Sequence, residues 1–444
     1  MGFVMLSSKS KRYLSGSDWV INTLDYMMKA TTGAGNMSQI VLALDSAIDE
    51  AALRMRLNNF IKEFPVLQGN VTRDYKLTPY WKIPEKAVPD VNLDIHHSEG
   101  IGSCEDALPL LGQSVNAPFK NDNEHLAFHL ISGKEKSFFA MTFDHRLFDA
   151  RGAEAFLNLF QRYLADDVFS VSGDICFTSS SALTEWMKKF YAGRNVNRKI
   201  IALSKSTPEA LPLPSGEKKS FRYMLVSFDA AETERIYDNA YNEAGYLMEM
   251  PYLLSVVIQT VHELFRSRSR TTSSYLIPVS IDMRPGKDAV QELFFNHVSY
   301  LFFQAQAKDT DNLKGLINSV KQQMYEQVKA GFPADLAEAS LLTRIAPLPV
   351  LGKLLHLPLK GKMATFIFSY LGKNPQQPPE FMGIEIKNIF HMPRVPAPPG
   401  LGFFCNYFNG QLNLVISYLE GLVQNEEINM LEAGLRKRFG AGQS

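Results

Sequence analysis

A chain of 444 residues with 45% hydrophobic and 21% charged residues has the composition of an ordinary globular protein, long enough for two domains with sizeable cores. Its 46 basic and 46 acidic side chains cancel, so no global field draws it to nucleic acid or to an anionic membrane. Three scattered cysteines, Cys104, Cys176 and Cys405, have no metal-ligand spacing, and no apolar run approaches the roughly 20 residues of a membrane-spanning helix.

The N-terminus, MGFVMLSSKSKRYLSG, puts a short apolar start before its lysines, the wrong order for a secretory signal. Leu6 stands where a myristoylation motif wants Ser or Thr. With so few cysteines, a reducing cytoplasm is the expected setting. Met37 to Leu44 (MSQIVLAL) reads as a strand, and Asp49 as the cap of a helix through Ala51, Leu53, Leu57, Phe60 and Ile61. Strands follow at Val91 to Ile95 and Leu126 to Ile131, and then Ser137 to Phe143 (SFFAMTF), rich enough in aromatic and apolar residues to be largely buried. Ala153 to Leu164 places Phe156, Leu157, Phe160 and Leu164 on one helical face.

A helical stretch from Ser181 to Ala202 leads into residues 205–219, whose mixture of proline, glycine and charge marks a linker. Beyond it Phe221 to Phe228 reads as a strand, Ala231 to Glu243 and Tyr252 to Phe265 as helices, and Ser274 to Ile281 and Val298 to Gln304 as strands. Phe403 to Phe408, Asn409-Gly410 and Gln411 to Tyr418 form a hairpin pattern with a type I′ turn, and Asn425 is the expected cap of a last helix bearing Ile428, Leu431 and Leu435. The organisation expected is therefore α/β in two similar halves, 1–204 and 220–444, joined by 205–219.

The segment with chemical content is Phe143 to Asp149 (FDHRLFD), where His145 and Asp149 lie four apart at a strand exit that leads into a helix. A histidine on a rigid strand end can take a proton from an alcohol, amine or thiol and return it, the requirement of acyl transfer to a weak nucleophile. Asp149, just before the helix, is placed either to cap its first turn or to pair with a basic residue from elsewhere. Arg146 is the local competitor for that pairing, with its side chain expected to point away.

This segment resembles the Asp-His-Arg-x-x-Asp-Gly motif of dihydrolipoamide acyltransferases, and more broadly the His-x-x-x-Asp-Gly motif of the chloramphenicol acetyltransferase-like superfamily, which includes condensation domains. Other segments are similar to that group in the expected order: Ile48 to Arg54 with Phe64 to Leu67, Asn116 to Phe119 with His125 to Ile131, Val279 to Pro285, Phe294 to Val298, and Phe368 to Gly372. Two departures stand out. Ala150 occupies the usual glycine position, with Gly152 two residues on, and Asp144 replaces the first histidine of condensation domains. If the backbone at 150 needs a positive φ, alanine strains the loop.

The resemblance implies two α/β sandwich halves forming a pseudo-dimer with a tunnel between them. It implies that Arg284, in the Asp-x-Arg strand, pairs with Asp149, so that Asp149 holds the loop while His145 moves the proton; a guanidinium suits a partly buried carboxylate. Oxyanion or tunnel candidates are Asn296, Ser369, Tyr370 and the backbone N–H groups near Gly152. The loop Pro396 to Gly402 is similar to a tunnel-lining segment. The co-substrate implied is acyl-CoA or a phosphopantetheine thioester, with no permanently bound cofactor, a small-molecule acceptor and, for a condensation-type module, a carrier-protein partner. With no activated Ser or Cys nearby, attack is expected to be direct. A catalytically silent binding or scaffold protein is the alternative. His125 and His129 lie in a strand-like run without a third ligand, His96-His97 lacks a following aspartate, and His262 and His297 read as structural. Two fused halves permit a monomer.

Overall fold

The computed structural model describes residues 11–86, 91–98, 100–164, 185–206, 208–216, 218–270, 274–284, 293–357, 361–374 and 379–440. The N-terminal signal reading, Cys176, the start of the Ser181 to Ala202 stretch, Thr207 and Glu217 of the linker and Pro285 lie outside them. Along the first half run β1 (Lys11–Tyr13), α1 (Gly16–Thr32), β2 (Met37–Leu44), α2 (Glu50–Ile61), β3 (Asn70–Arg73), β4 (Pro79–Lys82), β5 (Leu93–His97), α3 (Cys104–Asn116), β6 (Leu126–Ser132), β7 (Ser137–Asp144), α4 (Ala150–Leu164) and α5 (Trp186–Ser204). The second half runs β8 (Phe221–Phe228), α6 (Ala230–Ala244), α7 (Glu249–Ser267), β9 (Ser274–Asp282), β10 (Val298–Gln306), α8 (Leu313–Lys329), α9 (Phe332–Ser340), α10 (Leu348–His356), β11 (Ile367–Lys373), β12 (Glu380–Phe381), β13 (Ile384–Pro393), β14 (Leu401–Phe408), β15 (Gln411–Leu419) and α11 (Asn425–Phe439).

Two six-stranded sheets carry the molecule, ordered β12-β13-β2-β7-β6-β5 and β10-β9-β11-β14-β15-β8, with a small sheet β1-β4-β3 at the side. β7 lies inside the first sheet and is buried along its whole length, which is why its sequence is continuously apolar rather than alternating. One face, with Phe139, Met141 and Phe143, packs on Phe60 of α2 and Phe156 and Phe160 of α4. The other, with Phe138 and Ala140, meets Ala107 and Leu111 of α3 and Leu225 and Val415 of the second sheet. The strand that bears the motif is thus fixed from both sides.

In the second half the core lies between the sheet and α6, α7, α8 and α11. The hairpin of β14 and β15 turns at Asn409 and Gly410, both at positive φ (45° and 85°), as a type I′ turn requires. The last helix begins at Asn425 itself, and Glu427 accepts the N–H of Gln424, so the cap lies one residue earlier than expected.

A division at residue 220 misses one exchange. β13 pairs antiparallel with β2 in register Pro393 to Ser38 through Ile389 to Leu42, so a second-half segment completes the first sheet. Residues 208–216 are not a free linker either. Ala210 and Leu211 are buried, Glu209 donates its N–H to the Ser274 carbonyl, and its carboxylate meets Arg270 and Lys362.

Candidate functional site

The strand exit is organised by Asp144. Its carboxylate lies 2.9 Å from Nδ1 of His125 and accepts from the backbone N–H of Arg146 and from that residue's guanidinium at 2.6–3.1 Å. Nε2 of His125 meets the Gly69 carbonyl at 2.8 Å. Burial pushes the Asp144 carboxyl up, but Arg146 and His125 outweigh it and hold the group well below the usual carboxylate range. Arg146 is therefore turned to Asp144, with Asp25 at 3.7 Å, and not to Asp149.

His145 follows, half-buried, its N–H bonded to the Asn36 carbonyl at 2.9 Å. Its ring Nδ1 lies 3.1 Å from Oδ1 of Asn296, whose Nδ2 donates to the His145 carbonyl at 2.9 Å. A carbonyl only accepts, so this second bond fixes the amide with its oxygen toward the ring. Nδ1 then carries the proton and donates it, and Nε2 is left with the lone pair. Asn296, expected as an oxyanion or tunnel residue, holds His145 with both ends of its amide, through Oδ1 to the ring and one N–H of Nδ2 to the carbonyl.

Asp149 is 2% exposed and its carboxylate accepts from three donors. Oδ1 takes Nη2 of Arg284 and the N–H of Gly152, each at 2.8 Å, while Oδ2 takes the N–H of His297 at 2.9 Å. Capping and ion pairing are thus combined in one carboxylate. The Arg284 guanidinium is itself only 3% exposed and reaches Asp282 at 3.0 Å. Ala150 opens α4 without a positive φ, so alanine is unstrained there. The glycine requirement falls on Gly152: a Cβ at that position would meet the Leu293 carbonyl oxygen at 2.3 Å.

The contacts made by Leu293, Asn296 and His297 come from one second-half segment, Leu293 to His297, that crosses onto the first half. Phe295 donates its N–H to the Leu147 carbonyl at 2.5 Å and adopts φ +72°, a conformation a bulky residue takes only when its surroundings enforce it. The Arg12 guanidinium sits 3.5 Å from the centre of its ring. Asn296 donates its own N–H to Oδ1 of Asp18 at 3.1 Å.

Ser369 and Tyr370 project differently from β11. Ser369 Oγ is 3.1 Å from Ser280 Oγ, whereas Tyr370 packs against the second-half core with its hydroxyl 3.3 Å from that of Tyr237. Burial pushes the Tyr370 phenol up to about 12. Tyr370 is thus directed at α6, and neither it nor Ser369 bonds to His145. Tyr300, which sequence reading passed over, stands opposite Ser280 in the β9–β10 register; burial and then the charge of Asp149 push its phenol up to about 12.

A second missed cluster clasps α4 to the second half. Glu154, 2% exposed, accepts from Arg151 at 2.7 Å, Asn374 at 2.8 Å and Nε2 of His391 at 3.0 Å. Arg151 also donates to the carbonyls of Leu371 and Lys373. Among the described residues no group of three or more His, Cys, Asp or Glu is arranged to hold a metal ion, and no helix is long and apolar enough to cross a membrane. Burial pushes the Cys104 thiol up to about 12 and Cys405 further, so neither offers a thiolate. A cavity of about 380 Å³ between Ile61, Leu67, Val91, Leu126 and Phe128 is lined by first-half residues, and neither His145 nor Asn296 is among them.

No family model matches this sequence, and no curated protein matches it. In three dimensions the fold is that of two chloramphenicol acetyltransferase-like halves, as found in acyltransferases and in condensation and epimerization domains. A trichothecene 15-O-acetyltransferase from Fusarium sporotrichioides superposes with a TM-score of 0.70 at 13% identity, over 97% of this chain and 95% of its own. The first condensation domain of the calcium-dependent antibiotic synthetase gives 0.68 at 14%, over 98% and 96%. The starter condensation domain of rhizomide synthetase, solved with C8-CoA and Leu-SNAC, gives 0.67 at 11%, over 98% and 95%.

Proposed function

We propose that this chain is an acyltransferase that moves an acyl group from a thioester, of coenzyme A or of carrier-protein phosphopantetheine, to a hydroxyl or amine. The observation that carries the reading is the locked ring of His145, its Nδ1 proton held by Asn296 and its Nε2 lone pair left as the acceptor, on a fold shared with acyltransferases. Nε2 takes the acceptor's proton as its oxygen or nitrogen bonds to the thioester carbon. The tetrahedral oxyanion then collapses, the C–S bond breaks, and the departing thiolate takes the proton back from the imidazolium.

Asp149 has no part in that transfer, because Arg284, Gly152 and His297 occupy its oxygens. Its role is to hold the exit loop of β7 against the crossing segment. The hydroxyls of Ser280, Ser369 and Tyr300 are the donors proposed for the oxyanion, each on the second sheet. With both described cysteines held as thiols, direct attack is favoured over an acyl-enzyme. A donor that is a thioester agrees with the C8-CoA bound by one structural relative. Ala150 gives no separate support to a silent binding protein, since it fits its helix.

The test is thiol release from a panel of acyl-CoA donors and from loaded carrier proteins, each with alcohol and amine acceptors. His145→Ala is expected to lose about 10²–10⁴-fold in kcat with the melting transition retained. Turnover at the wild-type rate in that variant would sink the assignment. Turnover with carrier-bound but not CoA-bound donor would identify a condensation-type module.

A further inference from the structure

Three consecutive N–H groups of the crossing segment are each taken by a first-half acceptor. Phe295 donates to the Leu147 carbonyl, Asn296 to Oδ1 of Asp18 and His297 to Oδ2 of Asp149. Two buried carboxylates, Asp18 and Asp149, therefore flank the residue that orients His145. Asp149 belongs to the motif; Asp18 lies on α1, more than a hundred residues before it. Its position is itself fixed, because Oδ2 accepts from Nη1 of Arg12 at 2.7 Å and from the N–H of Ser15 at 2.8 Å. The side chain is 1% exposed, and Arg12 also covers the ring of Phe295.

We infer that Asp18 is a positioning residue that acts through Asn296 to hold His145 in its proton-accepting orientation. The inference rests on the general-base reading of His145 and extends it. Without the bond to Asp18, the peptide of Asn296 is free to rotate, and the φ of Phe295 loses one of the contacts that enforce it. The amide would then no longer present Oδ1 to Nδ1, and the ring would be free to exchange tautomers. Burial raises the carboxyl of Asp18, yet Arg12 and the N–H groups of Ser15 and Asn296 overcome this and keep it ionised and accepting.

Asp18→Asn keeps the shape but leaves one acceptor oxygen for three donors. It is expected to lower kcat about tenfold with the KM for thioester within twofold, the effect of one lost orienting hydrogen bond. Asn296→Ala should show the same split, and adding Asp18→Asn to it should change kcat by less than twofold, because the two act in series. Ser103→Ala is the control: it removes the Oγ that accepts the Asp106 N–H at 3.1 Å, weakening the α3 cap without touching Asp18 or Asn296, so Tm falls while kcat holds. Ring ¹⁵N shifts of His145 read the tautomer without any turnover, expected Nδ1–H in the wild type and mixed in Asp18→Asn. Unchanged shifts and kcat in Asp18→Asn, or effects of the two variants that multiply, would overturn the inference. If Asp18→Asn does not fold, the ¹⁵N shifts are read in Arg12→Gln, which removes both the charge that fixes Oδ2 of Asp18 and the guanidinium over the Phe295 ring, and a wild-type tautomer there would overturn the inference. A silent His145→Ala would remove the general-base reading while the ¹⁵N shifts still decide the role of Asp18.

Discussion

Arg284→Met is the sharpest perturbation of the seam, because it removes one partner of an ion pair in which both side chains are almost completely buried, 3% and 2% exposed. Breaking such a pair leaves a carboxylate without its counter-charge and costs about 3–5 kcal/mol. Asp149 keeps the N–H groups of Gly152 and His297, so the lower end, about 3 kcal/mol, is expected. The lost bond to Asp282 adds little, since that carboxylate is 44% exposed. At about 2.1 cal/mol/K of unfolding entropy per residue, a chain of 444 residues loses roughly 1 °C of Tm per kcal/mol. Calorimetry should therefore show Tm lower by about 3 °C, with kcat reduced and KM little changed because the loop bearing His145 is loosened. Adding Asp149→Asn removes the uncompensated charge and should return about half of the lost stability. A single variant that melts with the wild type, or a double variant less stable than the single, would refute this account of the pair.

Gly152→Ala forces a Cβ against the Leu293 carbonyl and should cost roughly 1–3 kcal/mol, displacing the crossing segment and lowering kcat with Tm. Ala150→Gly should cost at most about 1 kcal/mol and leave kcat unchanged; a severalfold gain in turnover would show that glycine is needed at that position after all. Burial lowers the pKa of His129 from 6.5 to about 4, so the unfolded chain binds the extra proton between those values. Stability conferred by the neutral native ring is then lost as pH falls from about 6.5 toward 4, by roughly 3 kcal/mol at most. His129→Phe should flatten Tm across that window, and an unchanged slope would place the acid sensitivity elsewhere.

Much of the fold was legible because the strands that matter are apolar runs bounded by breakers. Met37 to Leu44 and Ser137 to Phe143 are buried on both faces and leave an unambiguous signal. β13 was not legible for the opposite reason. Ile384–Pro393 mixes Lys387, Asn388 and His391 among apolar residues, and its partner β2 lies some 340 residues earlier, so only the assembled sheet explains the pattern. α1 did carry a local sign that went unread: Ser15 and Asp18 form a capping box, with the serine accepting the Asp18 N–H and the aspartate accepting that of Ser15.

The candidate site divides along the same line. His145 and Asp149 were legible from their spacing at a strand exit, and Arg284 through the family resemblance, which implied the pairing of a guanidinium with the motif carboxylate. The role of Asn296 was not, since an amide can donate or accept and only its neighbours decide which. Set between a carbonyl that needs a donor and a ring N–H that needs an acceptor, it is matched at both ends by His145, and its amide nitrogen keeps a second N–H beyond the bond to the carbonyl. The proposed base therefore comes from one half and the amide that holds its ring from the other. Under the proposed acyl transfer, small shifts at the seam, whether from Gly152, Arg284 or Asp18, should consequently appear in kcat before they appear in KM, because they would change the direction of Nε2.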